Sequence, residues 1–425
     1  MKMKQLLKAT AVLSLASVLF LTGCQKTGDT GNTGNNNSGK EGEIVELEYL
    51  SHKNEKEAIK AMDVLIEKFN KENPNIRIIH TPSPDFTTVL TTRAQTNELP
   101  DIFSLTTNNT YEIMFRDGLI LDLTGQDFLS NVQEETLGIS TFEGKNWRLP
   151  YSLSAYGIYV RTDIFEENEI KIPTTYEELI QACEALQAKG ITPFNTSDKD
   201  LGAIAQRMER IMGIVDDTDE EFKKIADGSL NPKDSIVLNA YVKVSNDITK
   251  YTTEDSLGVD ATAIYQNYAN DGGAMLIQGT WGLSTLKNFK PDIKLALIPF
   301  PNPTGGESKV PVSIDTSFCI AAGTKHKEEA LKFLEFLSRA ENAQIYTDHE
   351  ASPNVIKGVN YKVDEFAAVT EKMDKGEIFV SLNAVWPSGL RNEMRDPAQA
   401  LIMDLNGDAF IEAAAELIKN SYNNQ

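Results

Sequence analysis

Apolar residues recur along this chain in two alternating periods. Ile44, Val45, Leu47, Tyr49 and Leu50 read as a strand, and Ala58, Ile59, Met62, Leu65, Ile66 and Phe69 then fall at spacings of three and four. That spacing predicts an amphipathic helix over 56–70. Asn73-Pro74 ends it, and 76–79 reads as a second strand. Strand, helix and strand make a β-α-β unit with parallel strands and a right-handed crossover. Farther on, Thr174-x-x-Glu177 behind Pro173 fits a capping box, followed by Leu179, Ile180, Cys183 and Leu186 on one helical face and Gly190 past the end. The stretch 327–339 carries a wide apolar stripe through Ala330, Leu331, Phe333, Leu334, Phe336 and Leu337. Polar, turn-rich segments at 192–199, 227–234 and 299–309 predict surface loops or crossings between substructures. The fold class is α/β, with no internal repeat.

The first residues follow a different logic. Lys2, Lys4 and Lys8 precede an apolar run of roughly thirteen residues, 9–21, which is too short to cross a hydrocarbon core of about 30 Å as a helix. This is the pattern of an export signal. It closes on Leu21-Thr22-Gly23-Cys24, which resembles the lipobox of bacterial lipoproteins, where the cysteine thiol receives a lipid. Residues 1–23 are thus expected to be a leader and Cys24 a lipidation site. Residues 24–42, rich in Gly, Asn, Thr and Ser, cannot offset the entropy of ordering and are expected to form a flexible tether. No later stretch approaches eighteen consecutive apolar residues, so lipid is the only expected membrane anchor.

Composition narrows the function classes. The 425 residues are 41% apolar, 24% charged and 8% aromatic, with 41 basic against 62 acidic side chains and a net charge of −21. Loss of the three leader lysines takes the charge to about −24, which opposes nucleic acid and anionic lipid and favours solubility. Three cysteines exclude a disulfide framework and a cysteine-rich zinc module. Cys183 and Cys319 lie in apolar surroundings, where a thiol packs as a small hydrophobe.

Catalytic signatures are missing: the chain has no G-x-S-x-G, no phosphate-binding G-x-x-x-x-G-K-[ST], no H-E-x-x-H and no dinucleotide G-x-G-x-x-G after a strand. His52, His80, His326 and His349 are scattered, so neither a metal nor a cofactor is expected. Asp404-Leu405-Asn406-Gly407-Asp408 starts like a calcium loop but has Ala409 and Ala415 where that loop needs Gly and Glu, which leaves a polar turn before a helix. No carboxylate pair of a glycosidase is apparent. The aromatic residues say more: Tyr151, Tyr156 and Tyr159 lie around one strand, Trp281 in a Gly-flanked segment and Trp386 before Pro387. Rings that stack on apolar C–H faces, with polar groups for hydroxyls, are the receptor chemistry a sugar needs, and core packing is the other reading of each ring.

Several blocks together are similar to one family. Phe69-x-x-x-x-Pro74, Leu99-Pro100-Asp101-Ile102, and Asp117-Gly118-Leu119-Ile120-Leu121-Asp122-Leu123 resemble the N-terminal lobe of the family 1 extracellular solute-binding proteins of ABC importers, the maltose-binding-protein-like receptors. Leu149-Pro150-Tyr151 with Tyr156-Gly157-Ile158-Tyr159, Ile172-Pro173-Thr174-Thr175-Tyr176-Glu177-Glu178-Leu179 and Gly190-Ile191-Thr192-Pro193-Phe194 follow in the family's order. So do Gly272-Gly273-Ala274-Met275, Gly279-Thr280-Trp281, and the closing helix with Ser338, Glu341 and Pro353. Val160-Arg161 departs from the usual Tyr-Asn, a detail on the hinge side.

The resemblance implies a two-lobed periplasmic-binding-protein-like fold with a ligand cleft between lobes: 43–152 with 298–355, and 153–297 with 356–425. It implies Trp281 and Trp386 as sugar-stacking rings. Asn108 and Ser154 stand where the maltose receptor carries hydroxyl-binding carboxylates. Tyr151, Tyr156, His52, Asn54 and Asp315 are expected to line the cleft, which is expected to hold few basic residues. The implied function is a non-enzymatic, lipid-anchored receptor on the outer face of the cytoplasmic membrane. A monomer by expectation, it captures a sugar or oligosaccharide and delivers it to an ABC permease, with no nucleic-acid partner. A lipid-anchored polysaccharide-degrading enzyme and a ligand-presenting receptor without transport are the alternatives.

Overall fold

The computed structural model describes residues 44–107 and 111–424, so the leader, Cys24, the tether and Asn108 lie outside the described residues. Among the described residues nine strands form the sheet framework: β1 Val45–Ser51, β2 Ile76–Pro82, β3 Ile102–Leu105, β4 Leu149–Arg161, β5 Phe194–Asn195, β6 Met275–Gly279, β7 Leu295–Ile298, β8 Val310–Ile320 and β9 Ile378–Val380. Their order is β2-β1-β3-β8-β4-β6-β5, with β7 on β4 and β9 on β8. The opening unit is as the periodicity predicts, with β1 and β2 parallel in register from Val45↔Ile76 to Ser51↔Pro82 around the helix Lys56–Glu72.

Two long antiparallel strands divide the packing. Leu149 and Tyr151 of β4 enter the first core, with β1 to β3 and the helices Lys56–Glu72, Lys327–Leu337 and Ala340–Glu350. Phe69 meets Phe333 and Phe336 edge-on there, at 5.0 and 5.3 Å between ring centres. Tyr156, Ile158 and Val160 enter a second core under the helices Tyr176–Ala188, Leu201–Ile214, Ile236–Lys250, Arg395–Asp404 and Gly407–Asn423. β4 changes core at Ser154, beside a register irregularity in its pairing with β8 at 150–153. β8 does the same: Val310 and Val312 pack with the Tyr159 side while Phe318 and Ile320 belong to the first core. Ser154 and Ser313 pair at this crossing, their hydroxyls 2.9 Å apart. A third crossing falls between Val359 and Tyr361.

These packings move two expected boundaries. Ile298 and Phe300 sit in the second core, so the chain re-enters the first core beyond Ser313 instead of at 298. It leaves that core near 360 instead of 355, because Ile356 and Val359 still pack in the first. The capping box is also one residue later than predicted. Thr175 accepts from the Glu178 backbone N–H in a reciprocal pair, and Thr174 donates its hydroxyl to the same Glu178 carboxylate at 2.7 Å. Asn406 accepts from the Ala409 N–H and caps the helix Gly407–Asn423, as a polar turn there requires. Cys183 and Cys319 are free, buried and in different cores. Among the described residues no helix is long and apolar enough to cross a membrane, and no cluster of side chains is suited to a metal ion.

Candidate functional site

Where β4 and β8 cross, the two cores face each other across a cavity of about 200 Å³. Its floor is Ser154, Ser313, Ile314 and Asp315 from the crossing strands. One wall starts beyond the carboxyl end of β1, the place where open α/β sheets expose loops to a ligand. There His52 donates its backbone N–H to Ser104 Oγ at 3.1 Å and holds Nδ1 at 2.7 Å from the same hydroxyl. Burial, helped by the charge of Lys53, pushes this imidazole down to about 4, so it is neutral at pH 7. Lys53 is buried behind it, paired with Asp315 and with Glu350 at 2.7 Å. Burial alone would lower the ammonium, but the two carboxylates outweigh it and hold Lys53 well above its usual range. The Glu350 carboxyl is raised by burial to about 7, against the pull of Lys53.

The other wall comes from the helix Leu201–Ile214, which is apolar on most of its circumference and carries Gln206, Glu209 and Arg210 at helical spacing on the cavity side. Glu209 is 1% exposed, accepts from Ser381 Oγ at 2.8 Å and lies 3.4 Å from Arg210. The Arg210 guanidinium sits over Tyr156 and Trp281, 4.6 and 5.7 Å from the ring centres, as a cation over two aromatic faces. Trp281 follows β6, and its ring occupies the space over Gly279: a Cβ there would come 1.9 Å from Trp281 Cζ3. Arg391 completes this wall; burial lowers its guanidinium, partly offset by the charge of Glu209.

The lining is polar and charge-balanced. Lys53, Arg210 and Arg391 stand against Glu55, Glu209 and Asp315, so the expectation of few basic residues is corrected, because three line the cavity, each sign matched by the other. Among the described residues His52 Nε2, Glu209 Oε2 and Arg391 Nε are buried without a hydrogen-bond partner. Unmet polar atoms at one cavity are costly unless a ligand or water completes them.

Of the expected site residues, His52, Ser154, Trp281 and Asp315 line this cavity. Tyr156 does not, since it lies behind Trp281 and Arg210, its ring 6.1 Å from Trp281. Three others are corrected by their packing. Tyr151 is fully buried in the first core, edge-on to Phe318 and Tyr346 at 5.1 Å each. Trp386 is 2% exposed and stacks on Phe222 at 5.2 Å in the second core. Asn54 is exposed, its amide donating to the carbonyls of His52 and Ser83 at 2.9 and 3.1 Å, so it ties the loop together outside the cavity. Asn108 lies outside the described residues. The sequence reading missed Lys53, Glu55, Glu209, Arg210, Ser313 and Arg391. The available signal was a polar run, Gln206-Arg207-x-Glu209-Arg210, inside an otherwise apolar helix.

The family model described as bacterial extracellular solute-binding protein matches residues 52–344. The multiple sugar-binding protein of Streptococcus mutans is 26% identical over 311 residues, 72% of this chain and 74% of its own length. The melibiose/raffinose/stachyose-binding protein MelE of Bacillus subtilis is 22% identical over 314 residues, 72% of each chain. Among solved structures, the solute-binding protein RafE in complex with raffinose superposes with a TM-score of 0.80 at 24% identity, covering 89% of this chain and all of that one. A Bacillus licheniformis sugar transporter protein in complex with stachyose gives 0.72 at 21%, covering 88% and 98%. These structural likenesses establish the two-lobed binding-protein fold.

Proposed function

Because this chain belongs to the bacterial extracellular solute-binding proteins, we propose that it captures a sugar or oligosaccharide in the cavity between its cores and delivers it to an ABC permease. The observation that carries this reading is the pairing of an aromatic face, Trp281, with polar side chains of both charge signs lining one cavity. A sugar offers the complement: C–H faces for the ring, and hydroxyls that both donate and accept. Balanced charge around the cavity suits a neutral ligand better than an anion or a polyamine. The names of the Streptococcus mutans and Bacillus subtilis relatives point the same way.

His52, Ser154, Trp281 and Asp315 are the ligand contacts in this reading, joined by Glu209, Arg210 and Arg391, with Tyr156 as support for Trp281. The lobes are 44–153 with 314–359, and 155–312 with 361–424, closing about the Ser154 and Ser313 crossing. Closure requires the ligand to bind the closed state more tightly than the open one. The protein acts as a monomer without catalytic activity, held at the outer face of the cytoplasmic membrane by lipid on Cys24.

Thermal-shift screening against neutral mono- and oligosaccharides tests the reading. A ligand at 100 times its dissociation constant adds about 2.7 kcal/mol of apparent stability, a shift of several degrees. Stabilisation by polyamines or phosphate compounds and by no sugar would overturn it.

A further inference from the structure

Glu350 is a buried carboxylate set behind the cavity wall. It ends the helix Ala340–Glu350, is 2% exposed and does not itself line the cavity. One of its oxygens takes the Lys53 ammonium at 2.7 Å, and the same ammonium is bound to Asp315, which does line the cavity. Two carboxylates share one cation, an arrangement in which the second negative charge is costly to keep. The other oxygen, Oε2, is buried without a hydrogen-bond partner among the described residues, and so is the hydroxyl of Ser352, two residues farther along. The groups that face Glu350 from the other elements are mostly fixed in charge. Burial raises the hydroxyls of Tyr346, on the same helix, and of Tyr361, at the third crossing. Thr316 of β8 is uncharged and meets Tyr346 at 3.4 Å. Lys53, which burial lowers, is held well above its usual range by Asp315 and Glu350, with a smaller pull from Glu55. The neighbouring His349 turns towards Glu57, 3.8 Å away.

The charges that line the cavity cancel without Glu350: Lys53, Arg210 and Arg391 stand against Glu55, Glu209 and Asp315. An ionised Glu350 behind Lys53 is one negative charge too many, and a protonated one leaves the set neutral. A neutral ligand that fills the cavity expels the water facing Asp315 and so raises the cost of the unmatched charge. We propose that Glu350 is a positioning residue that acts on the ligand through Lys53 and takes up a proton when the ligand binds, so that the complex is tighter in mildly acid than in mildly alkaline solution. The proton comes from solvent and no bond of the ligand changes. The Lys53 ammonium has three N–H donors, two of them on carboxylates, and the one left over is a donor for a ligand oxygen. The coupling is reciprocal: the ligand raises proton affinity by the factor by which the proton raises ligand affinity. Asp315 lies just past the Ser313 crossing and Glu350 on the helix that leads to the third, so the shared ammonium ties the entry of the chain into the first core to its exit. This inference rests on the binding of a neutral sugar in the cavity and adds a proton to the complex.

The test is calorimetric titration of the full chain with maltotriose, raffinose and xylotriose at pH 6, 7 and 8. Each titration is run in two buffers of different ionisation enthalpy, so that the heat reports the protons taken up per sugar. Burial raises the Glu350 carboxyl to about 7, which puts its change of charge inside this range. For a sugar that binds, net proton uptake is expected at pH 7, with an affinity about three-fold or more higher at pH 6 than at pH 8. Glu350→Gln carries the neutral form at every pH. Its affinity at pH 8 is expected to match that of the wild type at pH 6, with no pH slope and no proton uptake. The wild-type proton count needs no variant, so the outcome stands even where Glu350→Gln folds poorly. Wild-type affinity that is flat or rises towards pH 8, or the same slope and uptake in Glu350→Gln, overturns the role of Glu350 and leaves the carbohydrate reading standing. No binding of any of the three sugars at any of these pH values overturns both.

Discussion

At the scale of single residues, the site is built from side chains that the fold holds in unfavourable company. Trp281 stands over a glycine that has no room for a Cβ. Removing the ring, Trp281→Ala, is expected to weaken sugar binding by about 1–3 kcal/mol, the scale of a buried aromatic contact, as read by calorimetry. Unchanged affinity would remove Trp281 from the site. The Tyr151 hydroxyl is buried with no partner among the described residues, so Tyr151→Phe is expected to leave the fold as stable as before or raise stability by up to about 1 kcal/mol in denaturant melts. Two groups beside Lys53 titrate in opposite senses. The His52 imidazole falls from its usual 6.5 to about 4, so between these values the folded state holds fewer protons and acidification destabilises. The Glu350 carboxyl rises from 4.5 to about 7, so over that window the folded state holds more protons and acidification stabilises. The two effects oppose each other between about pH 4.5 and 6.5. Relative to wild type, Glu350→Gln is expected to lose melting temperature as pH falls from 7, and His52→Gln to gain it as pH falls from 6.5. Equal slopes in the two variants would contradict this assignment.

At the scale of elements, what could be read in advance was what has a period. The strand and helix from 45 to 72 and the stripe of 327–337 appear where alternation and three-four spacing put them, while the polar turn expected at 404–408 is shorter, since the helix already begins at Gly407. A cap is a local signal that tolerates an error of one: Thr174 and Thr175 are neighbours with the same chemistry, and only the structure shows Thr175 as the cap. Thr175→Ala is expected to cost about 1 kcal/mol of stability in melts, with Thr174→Ala costing less. The site was harder to read because it is assembled from separate segments. Tyr151 and Tyr156 lie on one strand, yet the change of core at Ser154 sends Tyr151 into one interior and Tyr156 beneath the cavity. A tryptophan before a proline looks the same whether it faces a ligand or Phe222. Lys53 is one residue from His52, but its burial depends on Asp315 and Glu350, more than 260 residues away in the chain. Long-range pairing of this kind leaves no trace in local spacing.

At the scale of the whole molecule, two cores share one sheet and three crossings, so the proposed ligand-driven closure is expected to be a rotation about Ser154 and Ser313 with each core kept intact. Small-angle scattering is expected to report a smaller radius of gyration when a stabilising sugar is added. An identical profile with bound sugar would exclude closure. Cys24→Ser is expected to shift the protein from the membrane fraction to the medium, consistent with a net charge of about −24 after loss of the leader, which gives the body no other affinity for anionic lipid. The position of β1 has a mechanical consequence. It is an inner strand, flanked by β2 and β3, and it is the first strand of the described fold. A pull on the chain at residue 44 acts along this strand and loads the register from Val45↔Ile76 to Ser51↔Pro82 lengthwise, all rungs together instead of one after another. The fold therefore meets tension from its N-terminal end in shear, the direction in which a sheet resists most.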